Sequence, residues 1–192
     1  MATIVFLHGL NTYGDDLLHI GPLTFGPMHA KLSRAFRERD IDFVPVARPQ
    51  SRTVLGTGSP EEQAERALRF LDETGLGDVD SKFHLFGQSM GGLAARVLAA
   101  RPELRNRILS VMTIGTPHEG TEAARFGLEF DRRYPKLARL FSTFGYDSRA
   151  KASIFCHYTP EAMREFNLRY PLQTKTHLAH RSSVPHSVGI RE

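Results

Sequence analysis

Five residues, Gly87-Gln88-Ser89-Met90-Gly91, match the pattern G-x-S-x-G. A serine hydroxyl held between two such glycines can serve as a nucleophile on a carbonyl carbon. The pattern alone arises by chance in on the order of one in twenty chains of this size, so its surroundings have to carry the argument. It lies between an apolar run, Phe83 to Phe86, and a helical pattern, Met90 to Ala100. A strand, a sharp turn and a helix in that order form a nucleophile elbow, which pushes the serine out beyond the strand end. The turn is strained and closely packed, which explains glycine on both sides. The plainer alternative is a serine that merely caps the helix.

Attack on a carbonyl places negative charge on its oxygen, and two preorganised N–H donors must meet that charge. The backbone N–H of Met90, directly after Ser89, is one. The second should come from the loop after the first strand. That strand reads as Thr3 to Leu7, and His8-Gly9-Leu10 follows it. The N–H of Leu10 is therefore the expected second donor, with His8 and Gly9 lining the cleft. Gly115-Thr116-Pro117-His118-Glu119-Gly120 ends another apolar run, Ile108 to Ile114. Parallel sheets carry their sites outside the carboxyl ends of their strands, so His118 is expected to line the cleft and Glu119 to stand near it. A turn whose side chains simply hold loops together is the competing reading of this segment.

The elements that must position these groups alternate between strand and helix, which predicts a mainly parallel sheet with helices on its faces. About four strands are readable: Thr3 to Leu7, Ile41 to Val46, Phe83 to Phe86 and Ile108 to Ile114. Pro45 places the end of the second near an edge or bend. Met28 to Arg39 has a helical pattern. Another helix opens at Ser59-Pro60, with Glu62 completing a capping box, and carries Ala64, Ala67, Leu68 and Leu71 on one face. Pro102 stops the helix that begins at Met90. Residues 121–158 are rich in Phe and lack strand signals. Thr159-Pro160-Glu161 opens a short helix that ends near Tyr170-Pro171. From Leu172 to Glu192 only isolated apolar residues occur.

In these segments the chain resembles bacterial triacylglycerol lipases and their esterase relatives. The resembling pieces are Ile4-Val5-Phe6-Leu7-His8-Gly9, Phe86-Gly87-Gln88-Ser89-Met90-Gly91-Gly92, Ile114 to Thr121 and Thr159 to Asn167, in the family's order. The resemblance implies an α/β-hydrolase fold over residues 1–192 as a single domain. It implies a helical cap formed by residues 121–158, and hydrolysis of carboxylic esters or lipids through an acyl-enzyme. No cofactor is needed for that chemistry. Some lipase relatives carry a structural calcium, but no metal ligands are assigned here.

A histidine base and a carboxylate to orient it should follow the serine in the order Ser, acid, His. Candidate bases are His177, His180 and His186, with His180 or His186 preferred. Candidate acids are Asp131, Asp147 and Glu161, with Asp147 preferred and Glu119 an outside choice. His177 and His180 also have a spacing that would suit a metal on a helix, without a supporting ligand pattern. About twenty residues follow Pro171, and they do not read as two further strands. An unusual base in this tail, a shortened lipase, or completion by a partner chain would each account for that. The shortened lipase would leave an open sheet edge and a route to self-association. A non-catalytic acyl-binding or interaction protein on a truncated lipase frame is the alternative function.

Bulk properties narrow the field. The chain has 192 residues, 41% hydrophobic and 24% charged, as expected of one globular domain. The net charge is +4 and the pI about 9.5. Its basic residues are scattered rather than gathered on one stripe, which argues against nucleic acid as a partner. One cysteine, Cys156, allows no internal disulfide, and the start lacks a signal-peptide pattern. A cytoplasmic location is the resulting expectation, with no transmembrane segment.

Overall fold

A computed structural model describes residues 2–7, 9, 33–45, 58–76, 78, 80–142, 152, 154–172 and 176–179. Its centre is a five-stranded, wholly parallel sheet. The strands are β1 (Ala2–Leu7), β2 (Ile41–Pro45), β3 (Phe83–Gln88), β4 (Ile108–Ile114) and β5 (Thr176–Ala179), in the spatial order β2-β1-β3-β4-β5. Starting at β1, the chain steps outward to β2 and then crosses back to build β3, β4 and β5 on the other side. The reversal leaves a crevice between the carboxyl ends of β1 and β3, where open parallel sheets bind their ligands.

β5 adds a strand to the four readable in the sequence, in a tail that shows only isolated apolar residues. A four-residue strand, Thr-His-Leu-Ala, is too short to show a period of its own. Its pairing with β4, Val111 with Thr176 through Ile114 with Ala179, decides its conformation. His177 therefore lies in a strand, not on a metal-binding helix. Pro45 ends β2 at one edge of the sheet, where a missing N–H disturbs no inner ladder.

One sheet face is sealed by α1 (Pro60–Glu73) and α2 (Met90–Ala100). Ser59 accepts from the N–H of Glu62 at 3.2 Å, and the Glu62 carboxylate accepts from the N–H of Ser59, so the expected capping box forms. Ala64, Ala67 and Leu71 are fully buried beneath it. Val5, Leu85 and Val111 pair side by side across three strands and are buried against the helices. Each large aliphatic chain sealed in this layer contributes roughly 1.5–3 kcal/mol. α2 is buried from Met90 to Ala99, and its Gly and Ala residues let it approach the sheet closely. On the other face, Phe6 contacts Phe43 and Phe86, with centroids 5.4 and 5.2 Å away, and Phe36 from the helical turn over 33–37 stacks on Phe43.

After β4 come α3 (Glu122–Arg133), α4 (Pro135–Ser142), a 3-10 turn at Cys156–Tyr158 and α5 (Pro160–Arg169). No helix among the described residues is long and apolar enough to cross a membrane.

Candidate active site

Ser89 follows β3 and precedes α2, with φ 53° and ψ −126°. Among the described residues only Asp40 is another non-glycine with positive φ. Such a conformation costs about 1–3 kcal/mol and persists only where the surroundings enforce it. Two backbone bonds do so here: the N–H of Ser89 donates to the Ile114 carbonyl at 2.8 Å, and the N–H of Gly92 donates to the Ser89 carbonyl at 3.1 Å. The Ser89 side chain makes no capping bond to α2, so the hydroxyl is not spent on the helix terminus.

The glycines around it are required by close approach. A Cβ on Gly87 would lie 2.6 Å from the Gly92 nitrogen. A Cβ on Gly9 would meet the Ser89 Cβ at 2.7 Å and the Gln88 carbonyl at 3.2 Å. The start of the loop leaving β1 is thus laid directly against Ser89, at the crevice where the strand order reverses. Met90 begins α2 and is buried. The positive end of the helix dipole at its N-terminus favours negative charge there. The arrangement suits a tetrahedral oxyanion formed by attack of the serine.

His118 lies at the carboxyl end of β4 and is bound on both sides. Its Nδ1 is 3.1 Å from Nη1 of Arg96 and its Nε2 3.0 Å from the Thr113 hydroxyl. Its carbonyl accepts from Asn167 Nδ2 on α5 at 2.9 Å. These bonds join β4, α2 and α5, which is the role of a loop-holding side chain. Glu119 is exposed on the same loop. Glu161, in the first turn of α5, pairs with Arg125 at 2.6 Å and Arg164 at 3.3 Å. Its own backbone N–H and then Arg125 hold its carboxyl below the usual range. Asp131 sits in α3. His8, Leu10, Asp147, His180 and His186 lie outside the described residues.

Arg96 escaped the sequence reading. It is 3% exposed, donates from Nη2 to the Tyr170 carbonyl and stacks over Phe166, 5.0 Å from the ring centroid. Burial pushes its pKa down to about 10, opposed by the attraction of Glu119. A sequence signal existed: it is the only charged residue in the otherwise apolar Met90–Ala100.

Comparison with known proteins agrees with this geometry. The profile of the family described as palmitoyl protein thioesterase matches residues 3–166. Over 68 residues the chain is 40% identical to a triacylglycerol lipase of Pseudarthrobacter phenanthrenivorans and to one of Burkholderia plantarii. Those matches cover 35% of this chain but only 20% and 18% of the two lipases. The mature Bacillus licheniformis lipase BlEst2 superposes with a TM-score of 0.60 at 17% identity, covering 93% of this chain and 64% of that one. Its propeptide form gives 0.61 at 18% identity and is covered over 35% of its length. The chain thus spans about a fifth of the curated relatives and under two thirds of the mature lipase.

Proposed function

The chain belongs to the palmitoyl protein thioesterase family, and from that premise we propose that it is a serine hydrolase that cleaves carboxylic esters or acyl thioesters through an acyl-enzyme. The observation that carries the proposal is the close approach of Gly9 to the strained Ser89, which supports Ser89 as nucleophile and the loop after β1 as the source of an oxyanion donor. A histidine takes the hydroxyl proton as Ser89 Oγ attacks the carbonyl carbon. The amides of Met90 and Leu10 hold the oxyanion. The alcohol or thiol leaves with the proton, and water then releases the acid.

His180 is the preferred base, with His186 the alternative. His180 follows Ala179, which pairs with Ile114, and Ile114 pairs with Gln88 and accepts the Ser89 N–H. That register supports a base delivered at the same end of the sheet. His177 pairs with Met112 further back in the ladder. Asp147 is the preferred acid, in keeping with the order Ser, acid, His. Residues 121–158 are proposed as the cap. Their two ends meet where the N–H of Thr121 donates to the Tyr158 carbonyl at 2.9 Å. Within the segment Phe126, Phe130 and Tyr134 form an aromatic cluster, suited to a long acyl chain of the kind named for the palmitoyl protein thioesterase family.

The test is labelling with a fluorophosphonate. The full chain should be labelled, and Ser89→Ala should not. His180→Ala and His186→Ala, made singly, identify the base by which of them loses labelling. A folded wild-type chain that takes no label would overturn the proposal.

A further inference from the structure

The guanidinium of Arg96 can only donate hydrogen bonds. The His118 nitrogen facing it at 3.1 Å is Nδ1, so Nδ1 must present its lone pair. His118 is then neutral, its proton is on Nε2, and Nε2–H donates to the buried hydroxyl of Thr113 at 3.0 Å. One side chain therefore selects both the charge and the tautomer of the other.

The consequence reaches the nucleophile along a single ridge of α2. Arg96 stands four residues after Gly92, so the two share a helix face. Thr116, two residues before His118, packs on Gly92 so closely that a Cβ there would lie 2.9 Å from the Thr116 Cβ. The N–H of His118 donates to the Thr116 carbonyl at 2.9 Å. The loop after β4 is accordingly clamped to α2 at two points, His118 on Arg96 and Thr116 on Gly92. Gly92 in turn donates to the Ser89 carbonyl, and β4 accepts the Ser89 N–H. Arg96 is itself held by the Tyr170 carbonyl and the Phe166 ring at the end of α5.

We propose that Arg96 is a positioning residue for Ser89, acting through the neutral Nε2–H tautomer of His118 to clamp the loop after β4 onto α2 and hold the elbow in its strained conformation. The proposal rests on the serine-hydrolase reading for its catalytic consequence and on the hydrogen-bond geometry for its mechanism. Full-length wild type, Arg96→Met and Arg96→Lys should be compared by nitrogen-15 NMR and by the rate of fluorophosphonate labelling. In wild type, His118 Nδ1 should resonate as an unprotonated and Nε2 as a protonated nitrogen. Arg96→Met should mix the tautomers, shift the Ser89 and Met90 amide resonances and slow labelling about tenfold. Arg96→Lys, which restores one donor to Nδ1, should recover the rate to within about threefold of wild type. Thr113→Val, which removes the acceptor of the Nε2 proton, should slow labelling similarly and replaces Arg96→Met if that variant does not fold. Unchanged ring nitrogens, a ring change that leaves the Ser89 and Met90 amides in place, or full-rate labelling of a folded variant would each overturn the proposal. A wild type that takes no label would instead retire the hydrolase reading, while the NMR arm still decides whether Arg96 governs the elbow.

Discussion

The backbone N–H of Ser89 donates to the carbonyl of Ile114 at 2.8 Å. The elbow after β3 is thereby tied to the last residue of β4, the strand that pairs on its other side with β5. Strain at Ser89 is maintained by its neighbours rather than by the turn alone, and this has measurable effects.

Glycine adopts positive φ without penalty, so Ser89→Gly should release the strain. Its unfolding free energy should exceed that of Ser89→Ala by about 1 kcal/mol or more, although neither variant should be labelled. Urea denaturation of the two proteins checks this. Equal stabilities would mean that the backbone at Ser89 carries no strain.

Gly9→Ala tests the approach of the β1 loop. The added Cβ would stand 2.7 Å from the Ser89 Cβ, and loop or serine must move. A displacement near 1 Å at a reacting centre costs on the order of a hundredfold in rate. The labelling rate of Gly9→Ala should fall between tenfold and a hundredfold, with the circular dichroism spectrum unchanged.

Gly87→Ala should act on folding instead. Its Cβ would press on the backbone nitrogen of Gly92, 2.6 Å away, which no rotamer change relieves. The expected loss is about 1–3 kcal/mol of unfolding free energy, read as a lower urea midpoint.

Tyr158 is buried, and its hydroxyl oxygen accepts from Gln63 Nε2 at 3.1 Å. Burial pushes its phenol well above the usual value near 10, with the Gln63 hydrogen bond opposing. A folded-state pKa raised above the unfolded one contributes stability that is fully present below pH 10 and is lost as pH rises beyond it. Between pH 8 and pH 11 the unfolding free energy of wild type should therefore fall more steeply than that of Tyr158→Phe. The difference approaches 1.4 kcal/mol per pH unit. Parallel slopes would show that Tyr158 does not titrate differently on unfolding.

Phe126 and Leu137 are 50% and 44% exposed on α3 and α4. Exposed substitutions change stability by roughly 0.5 kcal/mol or less, so Phe126→Ser and Leu137→Ser should fold normally. If these helices cap the site, both variants should lose activity on long-chain p-nitrophenyl esters several-fold more than on the acetate. Equal losses across chain lengths would remove the cap from acyl recognition.

By itself the sequence determined the alternation of strands and helices, the capping box at Ser59 and Glu62, and the elbow around Ser89. These signals are local: a period, a capping pair, or glycines on either side of a turn. It also pointed to the glycine after β1, because chain order places that loop at the carboxyl end of the sheet. Only the tertiary structure decided that Thr176–Ala179 is a strand, since four residues carry no readable period and their hydrogen bonds come from β4. Only the tertiary structure showed that both ring nitrogens of His118 are engaged, Nδ1 by Arg96 and Nε2 by Thr113. Those partners lie 22 residues apart in sequence, and no local pattern encodes a hydrogen bond between a helix and the far end of a strand.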